Sequence, residues 1–432
     1  MMSDGKQLRA GMRQLVVSAT LIFAVAAGLV GAHETEQVSA VRKQIELLLS
    51  KKGRETIEQP GRDALRYESA QASAEPTGDL QRPKPRVGSV SDEPAAIASD
   101  FNVAAQIEPT WRDGARNAIP PSAAPDVVGA FRFVCTPGQI NYDDPLVYPG
   151  RAGHSHLHQW FGNTEAGADS TYERLRRTGQ STCMNSLNRS AYWMPAMLDG
   201  KGNVVRPDYI SVYYKRRPAS DPECKRMAAG GCIAIPRGLR YVFGFDMVTG
   251  NTPTGGAYFD CDGPGAVRGH FSTITEAAKG CPAGARLGAI INAPECWDGK
   301  RLDSPNHRNH MASPGYGDWG YLKCPTSYPY LIPAFTMGAW YSIDPAGAGA
   351  WYLSSDDMPG MPRMPAGSTL HADWFGAWDD TIMSAWTENC INLMLNCSDG
   401  DLGDGTKLRQ TAPFSWRATP RLVRVPARPI TD

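Results

Sequence analysis

The chain has 432 residues, and 44 Lys and Arg balance 44 Asp and Glu, which excludes the cationic surplus of a general nucleic-acid-binding or membrane-coating protein. The 44 glycines and 34 prolines are too much punctuation for a helical bundle and point to a strand-rich, loop-rich protein. With 42% hydrophobic and 20% charged residues most of the chain has the means to bury a core, and its length allows two to three domains at about 150 residues each.

Taken in chain order, Lys6, Arg9 and Arg13 precede an apolar run from Leu15 to Val30, and small residues close it at Val30-Gly31-Ala32. This pattern predicts a secretory signal over residues 1–32, with a retained membrane anchor as the alternative. Residues 33–98 contain no Cys, Trp or Phe. One short amphipathic helix is expected over residues 38–51, with Val41, Ile45, Leu48 and Leu49 on one face. The rest is rich in Ala, Ser, Glu, Pro and Gly and predicts a flexible spacer, because it offers too little apolar surface to offset its ordering entropy.

Residues 99–425 read as a single disulfide-rich extracellular domain. Strands are predicted at Ala130–Cys135, Ala191–Met197, Tyr209–Lys215, Leu239–Phe245, Leu287–Ala293 and Tyr330–Trp340, separated by turn residues. One late helix is predicted, capped by Asp379 or Asp380, with Ile382, Trp386, Cys390 and Leu393 or Met394 at helical spacing. There is no βαβ alternation and no internal repeat. The expected fold is mainly β, a decorated sandwich or jelly roll with long loops and a few short helices, with α+β as the alternative.

All ten cysteines lie between Cys135 and Cys397. An even number in an exported chain predicts disulfides. Nearest neighbours give Cys135 with Cys183, Cys224 with Cys232, Cys261 with Cys281, Cys296 with Cys324, and Cys390 with Cys397. Zinc–thiolate sites are the rival, but no C-x-x-C occurs.

Six of the eight histidines fall in three short motifs: His154, His156 and His158 in GHSHLHQWFGN, His307 and His310 in NHRNH, and His371 in HADW. On a strand, residues i, i+2 and i+4 share a face, so the first three are predicted to project together. The second motif lacks the Glu of H-E-x-x-H, and Asp303 upstream is its candidate ligand or base. His371 and Asp373 stand at strand spacing. Imidazole with carboxylate suits a divalent transition metal, zinc or copper above all. Proton transfer by His without a metal is the alternative. Signal cleavage would also expose His33, as in the copper brace of polysaccharide monooxygenases, but the spacer separates it from the domain. The Asp-Gly run at 399–405 resembles a calcium loop without its bidentate Glu and reads as an acidic turn. Trp160, Phe161, Trp319, Trp374 and Trp378 accompany the His motifs and are either sugar-stacking or core residues. No G-x-S-x-G, P-loop or Rossmann fingerprint is present.

Six segments occur in a fixed order: FRFVC at 131–135, DDPLVYPG at 143–150, HSHLHQWFGN at 154–163, NRSAYWMPAM at 188–197, CWDGKRLDSPNHRNHMA at 296–312 and LHADW at 370–374. Together they resemble the secreted bacterial and fungal family called domain of unknown function number nineteen ninety-six, over residues 129–408. The resemblance implies an extracellular domain, with fungal relatives in cell-wall and biomass-facing secretomes. It implies no reaction and assigns no catalytic residue. The chemistry of the residues therefore carries the functional expectation. That expectation is a secreted, metal-dependent hydrolase of polysaccharide or another cell-envelope polymer, with no nucleic-acid partner and no membrane association after signal cleavage. His154, His156, His158, His307, His310 and His371 are the candidate ligands, and Asp303 and Asp373 the candidate catalytic carboxylates. The alternatives are a non-catalytic carbohydrate- or envelope-binding protein and a copper-dependent oxidase.

Overall fold

The computed structural model describes residues 92–251, 256–316 and 320–429. All of them belong to the second of the two units into which the chain divides, residues 78–432. The expected signal, His33, most of the expected spacer and Trp319 lie outside the described residues.

Two five-stranded antiparallel sheets dominate the fold. Their strands are β1 (Gly129–Cys135), β2 (Ile140–Asn141), β3 (His158–Gly162), β4 (Ala191–Pro195), β5 (Tyr209–Arg216), β6 (Arg240–Gly244), β7 (Ala257–Asp262), β8 (Arg286–Asn292), β9 (Ala334–Ser342) and β10 (His371–Phe375). One sheet has the order β7-β8-β9-β5-β1, and the other β6-β10-β4-β3-β2. All six predicted runs contain strand, but 191–197 and 330–340 are each broken and divided between two sheets. Alternation sets their faces. On β1, Phe131, Phe133 and Cys135 are buried while Arg132 and Val134 are partly exposed.

The sheets pack through aromatic side chains. Phe335 of the first sheet meets Tyr241 and Trp374 of the second at ring-centroid distances of 6.0 and 5.1 Å. The Tyr192 and Tyr214 hydroxyls bond across the interface at 3.0 Å. Smaller sheets of two- and three-residue strands decorate the edges, and one pair of them, Gly231–Cys232 with Tyr330–Leu331, is parallel. The result is a β-rich α+β fold whose sheets do not close.

The helices are short. They are α1 (Tyr172–Arg177), α2 (Pro222–Met227), α3 (Ile274–Lys279) and α4 (Asp380–Ala385). Side chains of Thr171, Asp221, Thr273 and Asp379 accept the N-capping bonds. The predicted late helix is α4, and it runs on into a π-helical turn at Trp386–Ile391. That wider turn breaks the 3.6-residue spacing. Trp386 and Cys390 are buried, whereas Leu393 is 62% exposed. Among the described residues no helix is long and apolar enough to cross a membrane.

All ten cysteines are paired: Cys135–Cys183, Cys224–Cys232, Cys261–Cys281, Cys296–Cys324 and Cys390–Cys397. Five disulfides are consistent with an extracellular protein. The residues just before the domain are tied to it. Arg237 donates to Pro94 O, and the buried Arg176 donates to Ile97 O and to Asp379.

Candidate metal centre

The second sheet has two apolar faces. Residues paired directly across an antiparallel ladder share a face. Tyr241, Trp374 and Tyr192 stand in one such row and face the first sheet. The next row, Val242, Asp373, Trp193 and Trp160, faces the other way. Two residues along each strand, His371 and His158 join this outer face. Leu146 and Leu175 close over its aromatic end, where Trp160 stacks on Trp193 at 4.5 Å. Of the two readings open for Trp160, Phe161, Trp374 and Trp378, the core reading holds, because each is at most 2% exposed.

One ligand atom from each of His156, His158 and His371 lies within 4.8 Å of the others, and one from each of Asp144, His158 and Asp373 does the same. His158 thus links three histidines to two carboxylates. The local backbone shows why the rings point inward. Gly153 turns with φ +78°, and Ser155 N bonds Tyr142 O at 2.9 Å, which swings His156 over the sheet before β3 begins at His158. The expected strand over 154–158 is therefore corrected: residues 154–157 are loop. His154 bonds Ala152 O at 3.0 Å and stays outside the cluster. Gly244 sits opposite His371 at φ +87°, where a Cβ would come within 2.9 Å of His371 Cα, so only glycine allows this approach.

The ring partners fix the tautomers. His158 Nδ1 faces Asp143 O at 2.9 Å, and His371 Nδ1 faces Thr369 O at 2.8 Å. His156 Nδ1 faces Ser354 Oγ at 3.1 Å and Leu157 O at 3.3 Å, while the Ser354 hydroxyl donates to Leu157 O. Carbonyl oxygens only accept, so each Nδ1 carries the proton and each Nε2 presents a lone pair. Yet His156 Nε2 and His371 Nε2 stand 3.1 Å apart, with no proton to share. His158 Nε2 and Asp373 Oδ2 are buried and have no hydrogen-bond partner among the described residues. Nitrogens bound to one ion at about 2.05 Å stand about 2.9 Å apart at a right angle and about 3.3 Å apart at the tetrahedral angle. The observed separation falls between these.

Burial sets the charge states. It pushes His158 down to about 3 and His371 down to about 4, and holds His156 well below the ordinary range, with the neighbouring rings adding to the effect on His156 and His158. All three are neutral near pH 7, the form that binds metals. Burial and the nearby Asp144 hold Asp373 well above the usual carboxylate range, and burial raises Asp144. A cation between these groups would reverse that effect on both carboxylates.

The second motif contributes differently. His310 is fully buried and uses both nitrogens, on Ser304 Oγ and Arg240 O, each at 3.0 Å. His307 bonds Asp303, which also pairs with Arg240 at 3.2 Å. None of His307, His310 and Asp303 belongs to the cluster. Arg308 lies nearer: its guanidinium donates to Gly244 O and Phe245 O, and its charge is felt at His371 and Asp373. In the Asp-Gly run, Asp401 accepts from Gly403 N and Asp404 from Thr406 N, as in ordinary turns.

The family model described as Domain of unknown function (DUF1996) matches residues 144–378, more than half of the chain. The chain belongs to this family. No curated protein and no solved structure matches it. The matched stretch of this DUF1996 member opens on Asp144 and contains every residue of the cluster. Asp144 was not among the sequence candidates. Its signal was the Asp143-Asp144 pair beside Pro145 and Leu146: Asp143 supplies the carbonyl for His158, and Asp144 is 4% exposed.

Proposed function

We propose that this protein is secreted and holds one divalent transition metal, zinc or copper, through Nε2 of His156, His158 and His371. Asp373 is the neighbouring carboxylate, as a further ligand or as the base that takes a proton from bound water, and Asp144 stands beside it. The convergence of lone pairs carries this reading. Three imidazoles whose Nδ1 protons are committed to oxygen acceptors bring ring nitrogens within 4.8 Å of one another, with His156 Nε2 and His371 Nε2 3.1 Å apart and His158 Nε2 buried without a hydrogen-bond partner among the described residues. A metal there would acidify water or polarise a scissile group, which suits hydrolysis of a polysaccharide or cell-envelope polymer. The five disulfides support an extracellular setting.

Metal-stripped protein reloaded with zinc or with copper, desalted and subjected to elemental analysis, is expected to hold one ion per chain. Reducing-end release from a polysaccharide panel by loaded and chelated protein then tests the hydrolytic step. Failure to retain either ion stoichiometrically overturns the metal reading. Retention without any metal-dependent release overturns the hydrolase.

A further inference from the structure

A groove of about 360 Å³ lies along β6, the edge strand beside β10. Two of its lining residues, Val242 and Gly244, pair in register with Asp373 and His371. Paired residues are about 5 Å apart at their Cα atoms, so the groove is one strand away from the cluster. Arg308 also lines it, fixed by its bonds to Gly244 O at 3.1 Å and Phe245 O at 2.8 Å.

The groove's chemistry narrows its occupant. Arg308 makes no ion pair within 4.0 Å among the described residues and keeps donors beyond the two it has spent. Asn309 presents an exposed amide with no side-chain hydrogen bond of its own among the described residues. Asn292 adds a second amide and Asp246 a carboxylate. The one guanidinium and the one carboxylate balance, so the groove has no net charge with which to select an anion. Pro294 and Ala312, both partly exposed, give it an apolar strip beside the more deeply buried Val242 and Met311. An extended peptide cannot add to β6 there, because Arg240 N and Val242 N already bond Leu302 O and His307 O. Planar amide, guanidinium and carboxylate groups around an apolar strip fit the hydroxyls and C–H face of a sugar ring.

We propose that this groove binds a neutral sugar residue, with Arg308 and Asn309 as its recognition residues, and holds it one strand from the His–Asp cluster. That the sugar belongs to the chain attacked at the metal rests on the function proposed above; occupancy of the groove does not.

Isothermal titration calorimetry on the full chain, metal-loaded and chelated, provides the test. The probes are cellohexaose, laminarihexaose, xylohexaose and the acidic hexagalacturonate. At least one neutral hexasaccharide is expected to bind. Asn309→Ala is expected to weaken it about tenfold, the effect of one lost hydrogen bond, with the metal content unchanged. Arg308→Lys is expected to weaken it as well, because the ammonium loses the planar fork. The proposal is overturned if no neutral probe binds, if hexagalacturonate binds more tightly than all of them, or if Asn309→Ala binds like the wild type. Sugar binding without metal retention would remove the proposed function and leave the groove standing. Metal retention without sugar binding would do the reverse.

Discussion

His158 and His310 are both 0% exposed, and they separate a proposed metal ligand from a structural histidine. His310 bonds through both nitrogens, so His310→Ala loses two buried hydrogen bonds and leaves a cavity, costing about 3–4 kcal/mol. Among the described residues His158 bonds only through Nδ1, and its Nε2 is an unpartnered buried acceptor. Removing it gives back part of that penalty, so His158→Ala should cost the metal-free protein only about 1–2 kcal/mol. Metal reverses the order. At a free ion concentration 1,000 times Kd the wild type gains about 4 kcal/mol. A variant whose affinity has fallen a hundredfold gains about 1.4 kcal/mol at the same concentration. Denaturant melts of the three proteins, with chelator and with zinc or copper, supply the numbers. His310→Ala should keep the full metal-dependent gain on a weaker fold, and His158→Ala should lose most of it. If His158→Ala keeps the gain and His310→Ala loses it, the argument from ring partners is refuted.

Two further outcomes follow from the same structure. Arg428 donates to Gly153 O, His154 O and Ser155 O, the loop just before His156, and lies over the Tyr142 ring. Arg428→Ala should therefore weaken metal binding about tenfold to a hundredfold while barely moving the chelated protein's melt, and unchanged affinity would remove Arg428 from the site's support. Burial lifts the Glu295 carboxyl to about 7 from 4.5, so the unfolded chain releases its proton first and stability falls as pH rises through that window. Glu295→Gln should stabilise the protein by about 2 kcal/mol at pH 8 and by little at pH 5, and an equal effect at both would contradict the shift.

Four of the five strands of the first sheet, β1, β5, β8 and β9, were legible because they are long and rich in aromatic or β-branched residues, whereas β7 was not predicted. The order of the strands was not legible. β10 fits between β6 and β4, partners about 130 and 180 residues distant in sequence. Its five residues are all buried, including His371 and Asp373, so it shows no alternation of polarity. Both faces of this sheet are covered, one by the other sheet and one by Leu146, Leu175 and their neighbours. A polarity pattern reports one wet face, and this sheet has none. The two- and three-residue strands of the smaller sheets are too short to carry any period.

The site was half legible for a related reason. Residue type and spacing picked out His156, His158, His371 and Asp373, because imidazoles near carboxylates are scarce in 432 residues with eight histidines. They equally picked out His154, His307 and His310. What separates the two groups is the partner of each ring, and those partners are mostly backbone carbonyls: Asp143, Leu157 and Thr369 for the cluster, Ala152 and Arg240 outside it. A carbonyl is the same whatever side chain the residue carries, so sequence is silent about it. His310 faces acceptors or donors at both nitrogens and is thereby closed. His158 faces one at Nδ1 and none at Nε2, and is thereby open to an ion. Ligand identity is written in side chains, but a ring's freedom to act as a ligand depends on where the main chain leaves its oxygens.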